Sequence, residues 1–247
     1  MAAQTSERVR ASRVAGVDGC KSRWLCIARD LLTGGIEAQL FESAAQLADQ
    51  DPLPGVIGWD IPIGLTEDGD GRVCDRAARL VLRAPRASSV FTAPIRAALA
   101  ARSQDEASRI TAQRCAGRRV PAQAFGIYAK VREVDDLLAA RPSLRGRIRE
   151  VHPEVCFWAW NGSVAIRASK KSEAGQRERV ALVEAQFGAG SLARVRAQLA
   201  PLRAAADDIL DAFAALWTAE RIARGVARTL PEKPLCDARG LQMEIVY

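Results

Sequence analysis

The sequence predicts an α/β protein built on a mixed five-stranded sheet, an antiparallel meander followed by parallel strands, with helices on both faces and a helical insertion. Three observations predict it. Apolar runs at 13–18, 24–28 and 36–41 are joined by links short enough for a meander, one of them the turn signal Thr33-Gly34-Gly35. A fourth run, VIGWDIP, follows a short helical segment, and a helix between two strands makes a crossover that favours parallel placement. Near the end, DDILDAFAALWTAERIA is apolar over a broad arc and rich in alanine, a pattern suited to close packing on a sheet.

Each element can be justified in turn. Residues 1–12 read as a disordered leader without the apolar stretch of a secretory signal, and 13–247 as one domain. Ser43 stands three residues before Gln46, a capping-box pattern that starts the short helix SAAQLADQ, and Pro52 and Pro54 stop it. In the meander the second strand lies between the first and third, so the fourth takes the free edge of the first, parallel to it. That placement sets Asp18 beside Asp60 at the strands' carboxyl ends, where sites gather in open α/β sheets. From about 70 to 145 the pattern is helical and basic, the expected insertion, with breaks near Pro85, Pro94, Gly117 and Pro121. A fifth strand is expected over 146–152, helices over 173–187, 191–199 and 205–226, a loop at Pro231 and Pro234, and a last strand in LQMEIVY.

Composition excludes several classes. No apolar stretch approaches the roughly 18 residues of a membrane span. The six cysteines form no Cys-x-x-Cys pair, which argues against a structural zinc site and a secreted disulfide scaffold. A soluble cytoplasmic protein is the expectation. His152 is the only histidine, so a histidine-rich metal site is excluded. The net charge of +7 is uneven: residues 1–70 hold 6 Lys/Arg against 11 Asp/Glu, and residues 71–149 hold 17 against 6. An acidic segment followed by a basic one suits a metal site beside a surface for a polyanion. A solvated arginine-rich face is the plainer reading.

The carboxylates carry the chemistry. Asp208 and Asp211, three apart, are neighbours on a helix surface, where buried acids are costly unless paired or bound to a metal. Asp207 reads instead as an acid of the first helical turn. Asp18 sits in GVDGCK with glycines near it, and Asp60 ends a strand in WDIPIG. Each alone could be an ordinary turn residue. Four together, with no suitable histidine, point to a hard ion such as Mg²⁺ or Mn²⁺.

The motifs GVDGCK, WDIPIGL, CDRAARLVL, SSVFTAPIR, QAFGI, EVHPEV and DDILDAFAALWTAERIA, in that order from residue 14 to the C-terminus, resemble the family called domain of unknown function four-two-nine. The last motif is also similar to the closing helix of RuvC-type resolvases. The resemblance implies an RNase H-like fold and nuclease, with Asp18, Asp60, Asp208 and Asp211 as metal ligands. Ser22-Arg23 departs from the Gly-Gly of many relatives without touching these acids. Glu154 in EVHPEV is a candidate additional catalytic ligand, and His152 a candidate for positioning water or phosphate. Both could equally be strand-end and helix-start residues.

For nucleic acid, Arg72, Arg76, Arg79 and Arg83 recur at 4-3-4 spacing and would form one basic stripe on a helix, beside an apolar stripe of Val73, Ala77 and Leu80. Arg96, Lys130, Ser88 and Ser89 fall in the shared motifs and are further candidates for phosphates. The leading expectation is a phosphodiesterase using two metal ions on DNA or RNA. The alternatives are an actin-like ATPase or phosphotransferase, against which stand the missing second phosphate loop and duplicated domain, and a binder without catalysis, against which stand the four acids. Cleavage of a branched junction would call for a homodimer.

Overall fold

A computed structural model describes residues 12–200 and 204–247, so most of the expected leader lies outside the described residues. The meander is β1 (Arg13–Cys20), β2 (Arg23–Asp30) and β3 (Ile36–Phe41), and the crossover helix is α1 (Ala44–Ala48). Ser43 caps α1 by accepting from the Gln46 N–H, while the Gln46 side chain accepts from the Glu42 N–H. β4 (Val56–Trp59) runs parallel to β1 with Val17 opposite Trp59, and β5 (Ile148–Glu150) runs parallel to β4. The order β3-β2-β1-β4-β5 is the expected mixed sheet, consistent with an RNase H-like fold.

Alternation along β1 decides which side chain meets which layer. Ala15 and Val17 join Trp24, Ile57 and Trp59 in the core beneath α1 and α5 (Tyr128–Ala140). Val14 and Cys20 face the other way, into a core built with α6 (Pro153–Trp160), α7 (Glu173–Phe187), α8 (Ser191–Leu199) and α9 (Ala206–Ala223). Helices therefore cover both faces. Between the layers α9 is buried from Ile209 to Glu220. Gly16 and Gly58 explain how closely it lies: a Cβ at Gly16 would be 2.1 Å from the Leu216 nitrogen, and one at Gly58 would be 2.6 Å from the Ala215 oxygen. We expect Gly58→Ala to push α9 off the sheet and cost about 1–3 kcal/mol in urea denaturation, the usual range for overpacking. An unchanged midpoint would mean that the helix is not seated on backbone there.

Two elements differ from expectation. The Pro231/Pro234 stretch is not a loop but part of β6 (Thr229–Cys236), paired with β7 (Gln242–Val246). The pairing is irregular between Leu230 and Leu235, so the prolines fall where ladder bonds are not required of them.

The second difference is in α2 (Val73–Arg86), where the break expected near Pro85 falls at Arg83 (φ 53°, ψ −179°) and Ala84 and so interrupts the expected arginine stripe. Proline disfavours helical backbone in the residue before it and cannot donate to the preceding turn. Arg72 is only the residue before the first turn. The four arginines consequently do not share one helical stripe. Leu80, expected on the apolar side, is 76% exposed. Beyond α2, α3 (Gln104–Arg114) and α4 (Ala122–Phe125) close a small core around Ile95, Ala107, Val120 and Tyr128. All six cysteines are free thiols. Among the described residues no helix is long and apolar enough to cross a membrane.

Candidate functional site

The Asp60 N–H donates to the Val17 carbonyl at 2.8 Å, which extends the β1–β4 register and sets Asp60 beside Asp18. Asp211 arrives from α9, one residue before the Ala212 carbonyl that crowds Gly16. Thus Asp18, Asp60 and Asp211 line one cleft of about 410 Å³, together with Glu154, His152 and Lys170. Asp208 does not line it. It stands one helical turn away, half-buried, bonded to the Cys20 thiol.

Burial and mutual repulsion push these acids up. Asp18 is raised well above the usual carboxylate range by burial, then by Asp60, Asp211 and Asp208. Burial first and Asp211 next push Asp60 up to about 8, although a hydrogen bond with Asp18 pulls it down. Burial raises Asp211 to about 6, with Lys170 opposing. Lys170 Nζ donates to Asp211 Oδ2 at 2.6 Å. Burial disfavours the Lys170 charge, but Asp211, Asp60 and Asp18 more than compensate and raise its pKa.

Among the described residues no three His, Cys, Asp or Glu side chains are arranged to hold a metal ion. Burial and mutual repulsion favour the protonated forms of Asp18 and Asp60, and the Lys170 ammonium pairs with Asp211. The donor set nevertheless fits a hard divalent cation: it is all oxygen, and its ionised form carries more charge than one lysine offsets. Lys170 would then compete with such a cation. In Lys170→Ala, the metal-free protein should lose about 1.5–3 kcal/mol at pH 8, the worth of a hydrogen bond between charged groups. Mg²⁺ should raise its melting temperature by more than it raises the wild type's. Equal shifts would show that the ammonium and the ion do not share a place.

The other expected residues fall into two groups. Glu154 lines the cleft but is held by Arg179, whose Nη2 lies 2.7 and 2.9 Å from its two oxygens. Arg179 also donates to the Ala168 and Gly175 carbonyls, so the pair anchors the loop carrying Lys170. The His152 Nε2–H donates to the Ser89 carbonyl at 3.3 Å, and burial lowers its pKa, keeping the ring neutral. Lys130 reaches the cleft lining, but its Nζ donates to the Arg23 carbonyl at 2.6 Å and lies 3.9 Å from the Trp24 ring centroid. Its stem packs on Gly19, next to Asp18.

Most of the expected phosphate contacts are internal. Arg72 is buried, with Nη1 and Nη2 2.6 and 2.7 Å from Glu150, and Nη2 2.5 Å from Asp75. Arg79 donates to the Val90 carbonyl at 3.1 and 2.8 Å and to Thr92 Oγ1. Arg96 pairs with Asp135, Asp237 and Glu67. Ser88 and Ser89 donate to the Pro85 and Arg86 carbonyls, closing a turn. Arg76 and Arg83 stay exposed, Arg76 with one bond to the Gly71 carbonyl. The cations that do reach the cleft and were not anticipated are Lys21, Arg86 and Lys170. The Lys170-Lys171 pair in a serine-flanked loop was the available signal.

Sheet order and the acids at its carboxyl edge define an α/β protein with an RNase H-like sheet and an acidic cleft. The chain belongs to the family described as Protein of unknown function (DUF429), whose model matches residues 16–235. No curated protein and no solved structure gave a match.

Proposed function

We propose that the protein is a metal-dependent nuclease that hydrolyses phosphodiester bonds of nucleic acid. The observation that carries this reading is the meeting of Asp18, Asp60 and Asp211, from β1, β4 and α9, in one cleft where their ionised forms repel. These three would hold Mg²⁺ or Mn²⁺, and Asp208, one turn along, would complete a site for a second ion. Such ions supply an activated water and charge neutralisation at the phosphate. The chain's own part is to fix the acids on backbone, keep Lys170 beside Asp211, and hold His152 neutral at the wall. Glu154, engaged by Arg179, positions the Lys170 loop.

The test is incubation of end-labelled DNA, RNA, hybrid and four-way-junction substrates with Mg²⁺ or Mn²⁺, against EDTA. Metal-dependent scission of at least one substrate is expected, and it should be absent in Asp18→Asn. No scission of any substrate with either ion removes the proposal.

A further inference from the structure

We infer that the cleft takes one unpaired nucleotide of a strand, and not a base-paired segment; this rests on the nuclease reading above. After the break at Arg83 and Ala84 the chain turns, and Arg86, Ser89, Val90 and Phe91 line the same cleft as the acids. That segment is fastened at three points: Arg79 holds the Val90 carbonyl and Thr92 Oγ1, His152 holds the Ser89 carbonyl, and Asp75 accepts from the Ala93 N–H. The acids are accordingly deep. Asp18 is 8% exposed and Asp211 3%. A volume of about 410 Å³ is that of a small-molecule pocket. A recessed centre under a fastened segment admits a lone strand more readily than two paired ones, the access problem that enzymes acting on a base solve by working on single strands or extruding the nucleotide.

The walls suit that occupant. Phe91 is 45% exposed and lines the cleft, so part of its aromatic ring stays open to a ligand. Bases stack on such faces without regard to sequence. Ile127, Pro62 and Pro153 continue the apolar wall. Arg86 lines the same space, its side chain has no ion-pair or hydrogen-bond partner among the described residues, and its Nε is buried. A phosphate of the bound strand supplies the missing partner, as an arginine fork favours.

The experiment compares one sequence as a linear single strand, a closed single-stranded circle and a sealed duplex (a relaxed, covalently closed double-stranded circle), each with Mn²⁺. Both single-stranded forms should be cut at least about 100-fold faster than the sealed duplex; cutting of the linear form alone would narrow the occupant to a strand end. Phe91→Ala should raise KM on the single strand about tenfold, within the range of one lost base stack. Its melting temperature and its metal-induced shift should match the wild type. Arg86→Gln should raise KM and flatten the salt dependence by about one phosphate contact. Equal cutting of duplex and single strand, or an unchanged KM in Phe91→Ala, overturns the inference while leaving the nuclease. If nothing is cut, the nuclease reading falls, and calorimetric titration with AMP judges the pocket alone. Binding that Phe91→Ala weakens supports the occupant; no binding, or release of phosphate from ATP as the sole activity, overturns it.

Discussion

Asp60→Asn should abolish metal-dependent cleavage and, at the same time, make the metal-free protein more stable at pH 8. The first effect follows from removing a ligand to an ion that contributes several kcal/mol of transition-state stabilisation, a loss of about 10³-fold or more in rate. The second follows from linkage. The Asp60 carboxyl titrates near 8 when folded, against an ordinary value of 3.8. Below pH 4 both states hold the proton and the group is neutral in the balance. Between 4 and 8 the folded state keeps a proton that the unfolded state has lost, so stability falls as pH rises through that window. Above 8 the full cost remains, several kcal/mol for a shift of this size. The asparagine variant carries no such cost, so its stability in EDTA should change less between pH 5 and pH 8. Mg²⁺ should raise the wild type's melting temperature and leave the variant's nearly still. A variant less stable than wild type at pH 8 without metal would mean that Asp60 is not under charge strain, and the site assignment fails with it.

Arg72→Gln should cost about 3–5 kcal/mol, the penalty of leaving buried carboxylates without their cation. Glu150 would lose both guanidinium bonds while still accepting from the Ile63 N–H at 2.6 Å, and Asp75 would lose its own partner. The Ile63 and Gly64 carbonyls would lose their donor as well, which loosens the turn just after Asp60. Denaturant titration of Arg72→Gln, Glu150→Gln and the double variant measures the coupling. The double variant should lose clearly less than the sum of the two. If Arg72→Gln folded with wild-type stability but bound nucleic acid with a shallower salt dependence, the arginine would be a phosphate contact after all.

What was legible in the sequence was whatever local spacing or chain connectivity determines. The short links placed β1 between β2 and β4, and that alone put Asp18 next to Asp60. The apolar arc and alanines of α9 announced a buried helix, and with it the position of Asp211. Partners distant in sequence were not legible. Arg72 meets Glu150 across 78 residues and Arg96 meets Asp237 across 141, so helical spacing for the first and the shared motifs for the second made both candidates for phosphate. The regional excess of arginine therefore overstated the basic surface, because part of it balances acids inside. The turn at Arg83 hid in a continuous helical pattern, although Pro85 marked it. Gly58 gave no signal of its own in the sequence, yet with Gly16 it is where the helix rests.

The seam between α9 and the sheet has a further consequence for motion. Because main chain meets main chain at Gly16 and Gly58, with no side chain between them, water has no route to the amides around Ala212–Leu216 except through opening of the whole fold. Those amides should be among the last to exchange with deuterated solvent, while the segment over the cleft, fastened by three side chains, should exchange through a smaller, local opening. The two walls of the cleft thus belong to different cooperative units. The segment over the cleft should then open without disturbing the spacing of the aspartates.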